Sequence, residues 1–260
     1  LVTFQKNKAT IIMRLKEVQA NKINAIIGFA PESGNNSNKL LLTGQADIAL
    51  VNLTGNREEI GLDWQSFLGN SQSLKTRLYL PFIPYINLGT TLNFGLVKFD
   101  SNYLQTKGGI AINLLSGNNF KWSVFYNSEV TSLLSADTSR IRATYNFPSI
   151  NATTLKSYGV SIEKMQWENP INPWKGYSFN VTGSAGIKRI NKDNRIDRVK
   201  FNEGGNITTL YDSLKLTFNQ FETSINADFV IPLSAQKVVA YTKFNASSIW
   251  VDKIFFGELY

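Results

Sequence analysis

Residues 177–188 read Tyr177-Ser178-Phe179-Asn180-Val181-Thr182-Gly183-Ser184-Ala185-Gly186-Ile187-Lys188, and the fold is decided by how that run alternates. Tyr177, Phe179, Val181, Gly183, Ala185 and Ile187 fall on one side; Ser178, Asn180, Thr182, Ser184, Gly186 and Lys188 fall on the other. A helix would scatter the first set round its circumference, because its period is 3.6, whereas a strand gathers it on one face. The same pattern recurs at 221–231, where Phe221, Thr223, Ile225, Ala227, Phe229 and Ile231 oppose Glu222, Ser224, Asn226, Asp228 and Val230. It recurs again at 106–114, and at 120–127, where Phe120, Trp122, Val124 and Tyr126 oppose Lys121, Ser123, Phe125 and Asn127. Turn residues separate these runs. The reading is β throughout, with about eleven strands: 23–31, 38–53, 58–68, 72–82, 86–99, 103–115, 120–131, 154–168, 175–190, 213–233 and 236–251.

Composition narrows the class further. The 260 residues are 43% hydrophobic and 18% charged, which excludes a disordered chain. No apolar run approaches the roughly eighteen residues that a membrane helix needs. A barrel strand needs only about 9–11 residues, half of them polar, so a membrane remains open. Cysteine and histidine are both absent, which removes disulfides, thiolate sites, the usual general base and the commonest metal ligand. No cofactor or metal is expected. The net charge of +8 is scattered rather than striped, so nucleic acid is not an expected partner. The cluster Lys188, Arg189, Lys192, Arg195, Arg198 and Lys200 reads as a solvated polar loop, with phosphate-bearing lipid heads as the other reading. The start, Leu1-Val2-Thr3, lacks a signal sequence, so the residues are expected to be mature or internal.

The strands exceed the five or six residues usual in soluble sheets. Long tilted strands with one apolar and one polar face suit a wall between lipid and a wet lumen; a soluble sandwich would bury its apolar face. Short turns at 54–57, 81–85, 116–119, 169–174 and 234–235 alternate with other connections, two of them long (132–153 and 191–212). That asymmetry is expected of short periplasmic turns and longer outer loops. Trp122, Trp167 and Trp174 fall near turn-side ends and Trp250 near an outer end, as an interfacial girdle would place them; Trp64 lies mid-strand. Residues 9–18 form a further alternating strand, read as the last of a periplasmic domain. Bacterial barrels close with even strand numbers, so an odd count points to a wall whose remainder is missing.

Several segments, in order, resemble the BamA/TamA family of outer-membrane assembly and translocation barrels. Asn24-Ala25-Ile26-Ile27-Gly28-Phe29 resembles the family's first barrel strand, and Lys39–Gly44 with Asp47–Asn52 its second. Glu59–Gln65, Ser71–Leu74 and Tyr79–Phe82 resemble its third and fourth strands, and Phe256–Tyr260 the lead-in to its sixth outer loop. The resemblance implies an all-β, antiparallel transmembrane β-barrel, about eleven strands of roughly sixteen, lacking the loop-tip motif and the closing strands. Residues 1–21 would be the end of a POTRA domain and its linker, and 22–260 the incomplete barrel.

It also implies a function: insertion or translocation of proteins at the outer membrane of a Gram-negative bacterium. The partners would be membrane lipid, client outer-membrane proteins and accessory lipoproteins or periplasmic proteins. The gate strand would be Ile23, Asn24, Ala25, Ile26, Ile27, Gly28 and Phe29, an edge that templates an incoming strand by β-augmentation. Gly28 would lower the cost of distorting it, or merely relieve crowding. Asp47, Asp63, Lys75, Arg77, Glu163, Glu222 and Asp228 are expected to face the lumen, as a polar wall or as a bed for the sixth loop. No base–nucleophile pattern accompanies them, so an enzyme is not expected. The other readings are a passive porin-like channel, a two-partner-type secretion pore, and a soluble β-sandwich binding module with Phe179 and Phe229 buried.

Overall fold

The computed structural model describes residues 2–5, 8–11, 21–31, 40–67, 71–83, 86, 88–117, 119–148, 150–169, 173–203, 206–212, 214–234 and 238–251. A small antiparallel hairpin comes first, β1 (Val2–Gln5) with β2 (Lys8–Ile11). Of the strand expected at 9–18, residues 9–11 form the second arm of this hairpin, and 12–18 lie outside the described residues.

Eleven strands then build one antiparallel sheet in which every strand pairs with its neighbours in chain order. They are β3 (Lys22–Pro31), β4 (Leu40–Val51), β5 (Glu59–Phe67), β6 (Ser71–Leu80), β7 (Gly89–Phe99), β8 (Tyr103–Ser116) and β9 (Phe120–Leu133). After these come β10 (Thr153–Trp167), β11 (Gly176–Ile190), β14 (Thr217–Ser234) and β15 (Val238–Trp250). A two-stranded hairpin, β12 (Lys200–Glu203) with β13 (Asn206–Thr209), interrupts the meander outside the sheet. Each expected strand is present, with ends shifted by a few residues. The sheet is not closed: β3 and β15 are its edges. No helix among the described residues is long and apolar enough to cross a membrane.

Residues opposite each other in an antiparallel pair share a face, so the register carries each face across the whole sheet. One row runs Leu50, Ile60, Leu78, Leu92, Ile110, Tyr126, Tyr158, Ala185, Phe221, Trp250. It is apolar or aromatic from β4 to β15. It also climbs: Leu50 stands one residue before the last of β4, reached from the 52–58 turn, and Trp250 is the last residue of β15, at the opposite end of the sheet. Over the whole sheet the strands are therefore staggered by about one residue per strand on average, which is the shear that tilted barrel strands require.

The two faces differ in chemistry as sharply as in direction. Every carboxylate within the eleven strands (Asp47, Glu59, Asp63, Glu129, Glu163, Glu222, Asp228) lies on the second face. The apolar face stays open: Val124 is 62% exposed, Val160 56% and Phe244 54%. Val181 and Ile225 are exposed as well, and Phe229 is not buried. No second sheet packs on this face among the described residues, against the expectation of a sandwich. Trp122 and Trp250 project from the apolar face, while Trp167, opposite Gly176 and an odd number of residues from Ile162, turns to the polar one. The girdle reading therefore fails for Trp167.

The buried core lies elsewhere. The long connections 134–152 and 191–216 carry two short helices, α1 (Thr138–Thr144) and α2 (Asn194–Asp197). Ile141, Ile196, Val199, Phe201 and Tyr211 from these connections pack against Ile190 and Phe218, which stand on the polar face at the strand ends. Together they cap that end of the sheet. The basic cluster is thus not simply a solvated loop. Ile196 and Val199 are sealed between its charges, Lys188 is 1% exposed, and Arg195 donates to the carbonyls of Leu133 (2.8 Å) and Leu134 (2.7 Å). Asp193 caps α2 and accepts from Arg195 at 2.6 Å, which holds its carboxyl below the usual carboxylate range. The length asymmetry between the two ends rests on these two connections, since 68–70 and 100–102, at the same end, are as short as turns.

Candidate functional site: the polar face and the first edge

Period-two alternation puts the candidate polar residues on one face, and the register then sets their neighbours. A single row runs Asp47, Asp63, Lys75, Gly95, Lys107, Glu129 across β4 to β9. The next row runs Gly61, Arg77, Asn93, Gly109, Asn127. Because Gly61, Gly95 and Gly109 lack side chains, charged groups overhang a bare backbone floor. The result is a concavity of about 840 Å³ lined by Asp47, Asp63, Lys75, Arg77, Lys107 and Glu129 among others. One pocket spans six strands only if the sheet curls with its polar face inward.

Within it, charges are partly neutralised in place. Lys22 pairs with Asp47 (3.3 Å) and Lys107 with Glu129 (3.0 Å), and Gln105 Nε2 donates to Glu129 at 2.7 Å. Asp47 and Asp63 stand directly opposite each other, a like-charge pair that the flanking lysines relieve. The guanidinium of Arg77 lies 5.6 Å from the Tyr79 ring. The other three expected residues lie further along the face and do not join this group. Glu163 pairs with Lys121 at 3.4 Å, in a neighbouring concavity that Arg77 also lines. Glu222 accepts from Gln220 Nε2 at 2.6 Å, and Asp228 accepts from Tyr241 (2.7 Å) and Ser178 (3.3 Å). Lys107 and Glu129 were not among the expected residues, although the alternation that found Lys75 places them on the same side. This arrangement can hold water and bind charged chain segments.

The expected gate residues lie in β3, one of the two edge strands. Ile23 to Phe29 pair only with β4, from Ile23 opposite Ile48 to Phe29 opposite Leu42. The other side of β3 has no strand partner among the described residues, which leaves one row of its backbone N–H and C=O groups outside the ladder. Ile23 (68%), Ile26 (69%), Ile27 (61%) and Phe29 (71%) are exposed on both faces. Gly28 relieves no crowding, since a Cβ there would meet Thr43 Oγ1 at an ordinary 3.5 Å. The demanding glycine is its neighbour across the ladder, Gly44, at φ +142°, where a Cβ would stand 2.1 Å from the Ile26 carbonyl oxygen.

These features define an all-β protein with a sheared antiparallel meander, one face apolar and open, the other polar and concave. No family model matches the chain, and no curated protein matches it in sequence.

Proposed function

We propose that the chain is the larger part of the wall of a bacterial outer-membrane β-barrel, with the open apolar face against lipid and the polar face round a wet lumen. The observation that carries this reading is the sorting of side chains: every strand carboxylate on the concave face, none on the exposed apolar one. In water an open apolar face of eleven strands would be a large cost; in hydrocarbon it is the favourable arrangement. The accumulated stagger supports a tilted barrel wall, and we assign the β1–β2 hairpin to a periplasmic domain.

The activity we propose is insertion or translocation of outer-membrane proteins, with β3 as the lateral seam and without cofactor. The free, doubly exposed edge of β3 supports it, together with the ordered resemblance to BamA/TamA proteins. Accessory lipoproteins or periplasmic proteins would be its partners. A passive channel is the second reading, favoured by the polar concavity and disfavoured by the packed cap over one end of that face. Liposomes carrying the protein should speed the insertion of an unfolded barrel client. A large steady conductance with no effect on client insertion would overturn the assignment in favour of the channel.

A further inference from the structure

We propose that Lys156 and Arg189 form a binding site for the phosphate of a lipid headgroup, on the apolar face at the cap end of the sheet. The proposal rests on the membrane reading above. Cations within the strands of the apolar face are few and stand towards strand ends: Lys98, Lys156 and Arg189 towards the cap end, Lys164 towards the other. Lys164 is satisfied by rings, its Nζ lying 4.5 Å from the centre of Phe120 and 5.6 Å from that of Tyr177. Lys156 and Arg189 are exposed and form no ion pair among the described residues.

Register brings these two together. Lys156 opposes Ile187 and Thr154 opposes Arg189, so the two cations are diagonal neighbours on one face, about 7–8 Å apart at the backbone. An ammonium and a guanidinium on flexible stems can converge from that spacing on a single phosphate, the guanidinium through two parallel hydrogen bonds. Just inside them, the Tyr126 and Tyr158 rings pack with centroids 4.9 Å apart and planes tilted by 44°, with Tyr158 68% exposed beside Ile187 at 57%. This is an amphipathic surface of the kind that lies between headgroup and acyl chain. No carboxylate of the sheet shares this face, so an anion meets no repulsion there, and two unpaired cations at the edge of hydrocarbon gain most from a counter-charge. A lipid supplies both the phosphate and the chains for the apolar surface below it.

The test places the full chain in nanodiscs of phosphatidylcholine, with and without phosphatidic acid, and counts retained lipid by native mass spectrometry. Wild type should keep phosphatidic acid selectively, and a Lys156→Gln, Arg189→Gln double variant should lose that retention by about tenfold. Lys243→Gln, the removal of one positive charge on the polar face, should not. Unchanged retention in the double variant overturns the site. Displacement by inorganic phosphate alone overturns the lipid assignment in favour of a free-anion site. Failure of every variant, and of wild type, to enter nanodiscs would instead overturn the membrane reading.

Discussion

Gly44 shows how a single residue sets the geometry of the candidate seam. Its φ of +142° is open to glycine and strained for any L side chain, and a Cβ would collide with the backbone of Ile26 on the edge strand. Gly44→Ala should therefore loosen β3 from β4 by roughly 1–3 kcal/mol, read as faster amide exchange across Ile23 to Phe29. Gly28→Ala, with room for its methyl, should leave those amides unchanged; equal effects of the two changes would contradict this assignment. The sequence drew attention to Gly28 because it sits in the strand of interest. The requirement at Gly44 arises from how closely two paired backbones approach, and that depends on a register the chain does not spell out locally.

Strands were the legible elements, and the cap was not. Each of the eleven announces itself by alternation over nine residues or more, long enough for the period to be read. α1, α2, β12 and β13 are seven residues or fewer, and their buried apolar residues (Ile141, Ile196, Phe201), with Val199 between α2 and β12, are spaced without a period among charged neighbours. Only their packing on Ile190 and Phe218 gives them an inside. The start of β14 moved for the same reason: expected at 213, it begins at Thr217, because Leu214 and Leu216 pack with the cap. The Asp193–Arg195 pair ties this cap to Leu133 and Leu134. Since the folded carboxyl is held below its ordinary value, the pair's contribution is complete above about pH 4 and is lost as pH falls through the lowered value. Amide exchange at Ile196 and Val199 should stay slow from neutral pH down to that range and quicken below it. Asp193→Asn should remove the acid dependence. An onset of opening near pH 6 in the native protein would contradict the linkage.

Across the whole molecule, the separation of charge from apolar surface gives the sheet two different solvents. The alternation was plain in the sequence, as were the polar positions Asp47, Asp63, Lys75 and Arg77. Which of them meet was not, because Asp47 reaches the same concavity as Glu129 only through five successive registers and a curl of the sheet. The most direct test of the account measures what each face touches. The chain has no native cysteine, so single cysteines at Val124, Val160 and Ile225 on one face, and at Asn127, Ser161 and Ser224 on the other, can each carry one spin label. In lipid bilayers, labels on the first set should collide with dissolved oxygen in preference to an aqueous nickel chelate, and those on the second set should show the reverse. Labels at Val124, Val160 and Ile225 that meet the chelate as readily as their neighbours, or that are shielded from both reagents, would contradict a wall between lipid and water.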